Sequence, residues 1–217
     1  YNATEAVENT SEYSLQKSTL ELYKFSLEYE PSEIFQLEYN ILFNSSDQSE
    51  VNDLTSIYGR LNNRVEENLD LTRTQTPKAL NQELKVYYTL NEDHIFSFEA
   101  QHLDQTEDPI GRAVRDRNPF LSLIPFDSNV QRFDITQNRF IETQKLEAKL
   151  DYFYLLNDQS NINLSIGFTN VAQNYLSDFN QTLDDGTTKS FDDEQFNNNV
   201  DFSFKDLYFA LNYRIRT

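Results

Sequence analysis

A period-two alternation of apolar and polar residues is the feature that most constrains the fold of this chain. Between residues 23 and 29, Tyr23, Phe25, Leu27 and Tyr29 occupy the odd positions, while lysine, serine and glutamate occupy the even ones. Successive side chains of a β-strand point to opposite faces, so the pattern indicates a strand with one apolar and one polar face.

The same alternation recurs along the 217 residues. It predicts about seven strands, at 18–29, 33–44, 82–90, 95–103, 140–155, 161–174 and 207–217. Each run has about ten residues or slightly more, the length that a tilted strand needs to cross a bilayer. The polar face is too charged for a dry core and suits a water-filled lumen, where opposite charges can pair between neighbouring strands.

The connections alternate in length. Short ones are centred on Pro31, Glu92 and Asp158, and long ones span roughly 45–81, 104–139 and 175–206. Outer-membrane barrels show this asymmetry, with short periplasmic turns and long extracellular loops. The fold prediction is therefore all-β, an antiparallel transmembrane β-barrel. The alternative is a soluble antiparallel sheet with one face on a core, which alternates in the same way.

An odd number of crossings predicts an arc of a larger barrel. Residues 1–17 read as a polar loop on the long-loop side, so the seventh run ends on the short-turn side. Closed bacterial barrels usually have an even number of strands with both termini in the periplasm. We therefore interpret 1–217 as a single barrel segment. The alternative is that one long loop contains a further strand.

Composition narrows the function classes. Aromatic residues reach 14% although the hydrophobic share is only 38%, a balance that an aromatic surface facing lipid would explain. A net charge of −18 argues against binding nucleic acid, which needs basic patches. The absence of cysteine excludes disulfides and zinc–thiolate sites. No segment approaches the roughly 20 apolar residues of a membrane-spanning helix.

The segment 81–102 carries a family resemblance. It reads NQELKVYYTLNEDHIFSFEAQH and resembles barrel segments of TonB-dependent receptor-like proteins of Bacteroidetes, the group with a carboxypeptidase-like regulatory domain. Two further segments, Glu107-Asp108-Pro109 and Arg117-Asn118-Pro119-Phe120, are similar to that group. The resemblance implies a barrel of roughly 22 strands with an N-terminal plug and a TonB-contacting segment. We expect neither the plug nor the contacting segment within this chain.

The leading functional expectation is an outer-membrane barrel that takes up a nutrient or a metal complex. One alternative is a barrel scaffold in an envelope secretion or assembly complex, and another is a soluble β-rich adhesin or binding module. The expected partners are outer-membrane lipid, TonB through a plug region outside this chain, and a surface lipoprotein or other envelope-complex subunits. We expect no enzymatic activity and no cofactor, since no nucleophile motif such as G-x-S-x-G occurs.

The long connections supply the candidate site. Loop 104–139 is rich in arginine and contains the apolar stretch 120–126, so it predicts a binding surface at the extracellular mouth. The candidate residues are Arg112, Arg115, Arg117 and Phe120, together with Asp184 and Asp185 of the next loop. The alternative is that the loop packs its own small core against its neighbours.

Loop 175–206 is acidic and carries a turn signal. Its carboxylates could bind Ca²⁺, but the ligand spacing of an EF-hand is missing, which favours a solvated acidic loop. Asp185-Gly186 predicts a hairpin turn, and the loop is expected to project as a β-ribbon. The apolar phase of Phe202 and Phe204 differs from that of Leu207 onward, which predicts a β-bulge or a bend near Lys205–Asp206. We expect no metal site at His94 and His102, which are about eight residues apart.

Overall fold

The computed structural model describes residues 7–60, 63–118, 124, 126–191 and 197–215. The prediction of an all-β antiparallel fold is confirmed. The strands are β1 (Val7–Ser32), β2 (Phe35–Arg60), β3 (Asn63–Gln75), β4 (Lys78–Asn91), β5 (His94–Glu107), β6 (Ile110–Arg115), β7 (Phe133–Asn157), β8 (Ser160–Thr182), β9 (Thr188–Ser190) and β10 (Asn198–Ile215). Within these ranges, no helix has the length and apolar character needed to cross a membrane.

The strands form one antiparallel sheet in which neighbours along the chain lie side by side. β3 and β4 lie end to end, since β2 pairs with β3 through its second half and with β4 through its first half. We call such a position in the sheet, whether it holds one strand or two, a line. In the same way, β5 and β6 pair with successive halves of β7. The main sheet therefore consists of seven lines: β1, β2, β3 with β4, β5 with β6, β7, β8 and β10. Among the described residues, β1 and β10 do not pair with each other.

Two prolines interrupt neighbouring lines at the same level. Pro77 separates β3 from β4, and Pro109 separates β5 from β6. Proline cannot donate to the ladder, so it breaks a strand at the point where it lies. The carboxylate of Asp108 compensates by accepting hydrogen bonds from Thr76 N at 2.5 Å and Thr76 Oγ1 at 2.6 Å. These hydrogen bonds connect the two strand breaks across the sheet.

The short turns lie at or close to their predicted positions. Two of them fall at Glu92-Asp93 and Asp158-Gln159, and the first falls at Glu33-Ile34, just beyond the predicted Pro31. Pro31 lies instead at the end of β1, where the pairing register shifts between Tyr29 and Ser32. An edge strand tolerates proline there, because the missing N–H has no partner to lose.

The strands continue far into the ranges that the sequence analysis assigned to long connections. β2 runs on to Arg60, and β3, β4, β5 and β6 occupy most of 63–115. In these extensions, polar residues occur on both faces, so the period-two signal disappears although the backbone remains extended. We call this part of the sheet, on the side away from the short turns, the distal region. It comprises β3, β6, β9 and the segments of β1, β2, β7 and β8 at the same level.

The β-bulge predicted near Lys205–Asp206 is wrong. β10 pairs with β8 in one unbroken register from Asn198 to Ile215. With a regular pleat, the change of apolar phase means that Phe202 and Phe204 lie on the opposite face from Leu207 and Phe209. The predicted turn at Asp185-Gly186 is present, and it joins β8 to β9 in a short ribbon.

Candidate functional site

One face of the sheet carries a continuous apolar band near the short turns. Residues that lie directly opposite each other on neighbouring strands have their side chains on the same face. A row of such partners can therefore be followed from strand to strand across the sheet. One row consists of Tyr29, Leu37, Val86, Phe98, Leu150, Ile166 and Phe209. Many of these side chains are exposed, including Leu150, Ile166 and Phe209. We call this side of the sheet the apolar face and the other side the polar face.

The apolar band is slanted relative to the rows of partners. On β1 its distal margin is Tyr23, and on β10 it is Leu207. The row that ends at Leu207 begins at Leu27, so the margin shifts by about four residues across the sheet. With about 3.3 Å per residue and about 4.8 Å between strands, this shift means that the strands are tilted by roughly 25° from the perpendicular to the band.

Aromatic rings line the margin of the band near the short turns. The ring centroids of Phe96 and Tyr152 are 4.9 Å apart, and those of His94 and Tyr154 are 4.8 Å apart. His94 Nδ1 lies 2.6 Å from the Tyr152 hydroxyl. Further ring pairs on this side of the band are Tyr29–Phe35 and Tyr88–Phe96. Each tyrosine offers an apolar ring with a polar hydroxyl at its end.

The polar face is charged at the level of the apolar band. Its ion pairs join residues two apart on one strand, as in Lys149–Asp151 at 2.7 Å and Lys145–Glu147 at 2.8 Å. At this level the ion pairs run along single strands, whereas the predicted pairing between neighbouring strands occurs in the distal region, where Arg115 of β6 pairs with Glu67 of β3. Residues two positions apart on a strand lie on the same face, so these side chains are close enough to form ion pairs.

A small apolar core lies on the polar face of the distal region. Ile124, Phe126, Ile135 and Phe191 are buried together, with Phe133 and Phe179 packed against them. Ile135, Phe133 and Phe179 hold polar-face positions in the register of β7 and β8. The connection between β6 and β7 therefore folds back onto this face. This agrees with the interpretation of the loop as an element with its own small core.

Arg132 fixes this connection to the sheet. Its guanidinium donates from Nε to Asp116 at 2.9 Å, from one terminal nitrogen to Asp70 at 2.8 Å, and from the other to the Val114 carbonyl at 3.1 Å. Asp116 also accepts from the backbone N of Asn68 at 2.7 Å. That backbone hydrogen bond, together with Arg132, holds the pKa of the Asp116 carboxyl below its ordinary value, although partial burial opposes the shift.

Gln181 forms a second anchor and is completely buried. Its amide nitrogen donates to the Asp127 carbonyl at 2.9 Å, and its amide oxygen accepts from the Asp127 backbone N at 2.7 Å. A buried amide without partners would be costly, so this reciprocal pair specifies where the connection docks.

The five candidate residues that the structure describes do not converge on one site. Arg112 pairs with Asp134, with Nε 2.8 Å and a terminal nitrogen 2.6 Å from the carboxylate. Arg115 donates to Glu67 from Nε at 3.2 Å, and this interaction lowers the pKa of the Glu67 carboxyl. The two arginines are three positions apart on β6 and so lie on opposite faces.

The other candidates have local roles. The guanidinium of Arg117 lies 5.4 Å from the ring centroid of Tyr58, a cation–π distance. Asp184 accepts from the backbone N of Gln131 at 3.0 Å and so joins the β8–β9 turn to the neighbouring connection. Asp185 accepts from Thr187 within its own turn. Phe120 lies outside the described residues.

Sequence reasoning did not single out Glu67, Asp116 or Gln181. Their partners are 48, 16 and 54 positions away along the chain. No local motif marks such pairs, because the register of the sheet brings them together. The distal strands would have had to be recognised first.

The acidic residues of 175–206 are dispersed. Asp178 accepts from Asn138 at 3.0 Å and Asp201 accepts from Asn174 at 2.7 Å. Asp192, Asp193 and Glu194 lie outside the described residues. In the part that the structure describes, no group of three or more His, Cys, Asp or Glu side chains is placed to hold a metal ion.

Comparison with known proteins gives a structural neighbour but no matching family model. No protein-family model matches the chain, and no curated protein matches it. Among solved structures, it is similar to the crystal structure of the ferric yersiniabactin uptake receptor FyuA from Yersinia pestis, at 9% sequence identity and a TM-score of 0.28. The match covers 94% of this chain and 44% of the receptor, so the chain spans less than half of that protein's length.

Proposed function

We propose that this chain forms part of the wall of an outer-membrane β-barrel. In this arrangement, the apolar face meets lipid and the polar face lines the lumen. The observation that carries the proposal is the slanted apolar band. A closed barrel requires strands tilted against its axis, so a band parallel to the membrane must cross the rows of partners obliquely.

The height of the band suits a bilayer. On β2 the apolar positions run from Phe35 to Phe43, about nine residues or roughly 30 Å of strand. At a tilt of roughly 25°, this gives a height of about 27 Å, close to the apolar band of about 25 Å in such barrels. The aromatic margin then lies at the membrane–water interface, where the rings can contact lipid and the hydroxyls can contact water.

The position of the small core argues against a soluble module. A soluble sheet with an apolar face buries that face under a second layer. Here the described connection folds onto the polar face, around Ile135 and Phe179. The apolar face keeps exposed side chains such as Leu150 at 41% and Phe209 at 70% of their full accessibility. Lipid would cover such a surface.

Within this class, we propose uptake of a nutrient or metal complex by a TonB-dependent-receptor-like barrel. The resemblance of 81–102 and the charged polar face support this role. It implies TonB as a partner, reached through a plug outside this chain. A scaffold within an envelope complex, with a surface lipoprotein or other subunits as partners, is the competing role.

Two adjacent residues allow a matched test of membrane placement. Ala100 lies in the middle of the apolar band, and Gln101 lies on the polar face. An arginine facing the bilayer midplane costs about 2–4 kcal/mol. In the complete parent protein, expressed in a Gram-negative host, we expect Ala100→Arg to reduce the heat-modifiable, outer-membrane form strongly. Gln101→Arg should leave its level nearly unchanged.

Equal effects of the two substitutions, or recovery of the parent protein as a soluble monomer, would contradict the proposal. Uptake and scaffolding are then separated by crosslinking in cells. Crosslinks from the parent protein to TonB support uptake. Stable recovery with other envelope subunits and without TonB supports the scaffold.

A further inference from the structure

The polar face of the distal region contains a pocket that no role above uses. It has a volume of about 380 Å³, within the range of small-molecule sites. Four apolar side chains line it: Leu71 of β3, Ala113 of β6, Ile135 of β7 and Phe179 of β8. We call it the distal pocket. Its apolar lining adjoins the small apolar core of this face and shares Ile135 and Phe179 with it.

Two features keep the distal pocket open. Leu71 remains 39% exposed although its neighbours across the strands are Asn52 and Ala113. Gly111 occupies a central lining position, and a Cβ built on it would meet nothing within 4 Å. A larger residue would therefore occupy the pocket without a clash. The glycine leaves space that a side chain could have filled.

Arg73 supplies a cation beside the apolar lining. Among the described residues it forms no ion pair, and its side-chain contact is a 3.4 Å hydrogen bond to Gln75. By contrast, carboxylates engage Arg112, Arg115 and Arg132.

Glu50 limits which anions fit. It is the direct cross-strand partner of Arg73, and its carboxylate accepts from the Asn52 amide at 2.8 Å. A simple anion would be repelled by this carboxylate and by the charge of the chain. A ligand with an apolar part gains binding free energy from the lining as well. The combination selects amphipathic molecules with one acidic group.

We propose that the distal pocket binds an amphipathic organic anion. Its carboxylate accepts charge-assisted hydrogen bonds from Arg73, and its apolar part packs on Leu71, Ile135 and Phe179. The pocket is a property of the sheet, so the proposal goes beyond the proposed function and does not require membrane insertion.

The test uses three probes that differ only in charge: 4-phenylbutyrate, 4-phenylbutan-1-ol and 4-phenylbutylamine. Their dissociation constants are measured by calorimetry on the complete parent protein in lipid nanodiscs, with empty nanodiscs subtracted. If the protein proves soluble, the same titrations are made in buffer. We expect the acid to bind roughly tenfold more tightly than the alcohol, as a charge-assisted hydrogen bond allows. The amine should bind most weakly.

Substitutions locate the site. Arg73→Gln should remove the preference for the acid over the alcohol, and Glu50→Gln should strengthen binding of the acid. Gly111→Leu should abolish binding of both, because leucine fills the pocket. Thr74→Leu places a leucine on the opposite face of β3 and should change the binding of neither the acid nor the alcohol.

The proposal is overturned if the acid and the alcohol bind the parent protein equally. It is also overturned if Gly111→Leu leaves binding of the acid unchanged. Absence of binding by every probe overturns it as well, since a pocket open to amphipathic anions must accept the acid.

Discussion

At the residue scale, the contacts of Asp116 and Glu67 make the distal connection sensitive to acid. Both carboxyls have a folded-state pKa below the ordinary value, so they bind fewer protons when folded. Their contribution is present above the unfolded-state pKa, near 4, and is lost as the pH falls through the lowered folded-state pKa. We expect limited proteolysis at 116–132 to accelerate below about pH 4 while the rest of the sheet stays protected.

The matched variant is Asp116→Asn, which keeps an acceptor for Asn68 but loses the charge beside Arg132. It should expose the connection to protease already at neutral pH, and its remaining acid response should come from Glu67. A rate of cleavage that is independent of pH in the parent protein would refute this account.

Gly167 and Tyr208 offer a second prediction at this scale. They are direct partners between β8 and β10, and a Cβ on Gly167 would lie 2.2 Å from the Tyr208 ring. Gly167→Ala must therefore move the ring into another rotamer, at a cost of about 1 kcal/mol. In a Tyr208→Ala background, the same substitution should cost nothing. The free energies of unfolding of the parent protein, the two single variants and the double variant give the coupling energy between Gly167 and Tyr208. Additive effects of the two substitutions would contradict the prediction.

The candidate binding residues show what sequence patterns omit at this scale. Arg112 and Arg115 appeared to share one loop surface, yet the strand β6 places them on opposite faces. Had 110–115 been recognised as a strand, their spacing would have separated them. Their carboxylate partners, Asp134 and Glu67, depend on the register of the sheet and could not be found from local sequence.

At the element scale, the β8–β9 turn depends on Gly186. Its φ of 81° lies in the left-handed region, where a β-branched side chain is strained. Gly186→Val should cost about 1–2 kcal/mol locally, and Gly186→Asn much less, since asparagine tolerates this conformation. Faster hydrogen exchange of the Gly186 and Thr187 amides in the valine variant would show the loss of the turn. Similar exchange in both variants would contradict the prediction.

Sequence patterns located elements only where the two faces differ in polarity. The predicted runs 82–90 and 140–155 fall within β4 and β7 because one of their faces is apolar. β3 carries Glu66 and Asp70 on one face and Glu67 and Arg73 on the other, so its alternation is interrupted although its backbone is just as extended. The missed strands are those whose two faces are both polar in large part.

At the scale of the whole molecule, the antiparallel all-β class was predictable because the apolar band crosses every line of the sheet. The slant of that band was not predictable, since it requires the register between strands. The packing of the β6–β7 connection onto the polar face was also hidden. It depends on Gln181 and Arg132, whose partners belong to other elements.

The meander order of the sheet has a consequence for how quickly it can assemble. Each line pairs with its neighbours along the chain, so the described part of the sheet can be built from successive hairpins without a crossover between distant lines. The two-residue turns at Glu33-Ile34 and Asp158-Gln159 bring long strands together at small loop-closure entropy. Pairing can then propagate away from each turn, and the hairpins can form one after another in the order of synthesis. The distal region, farthest from these starting points, would be the last part to close.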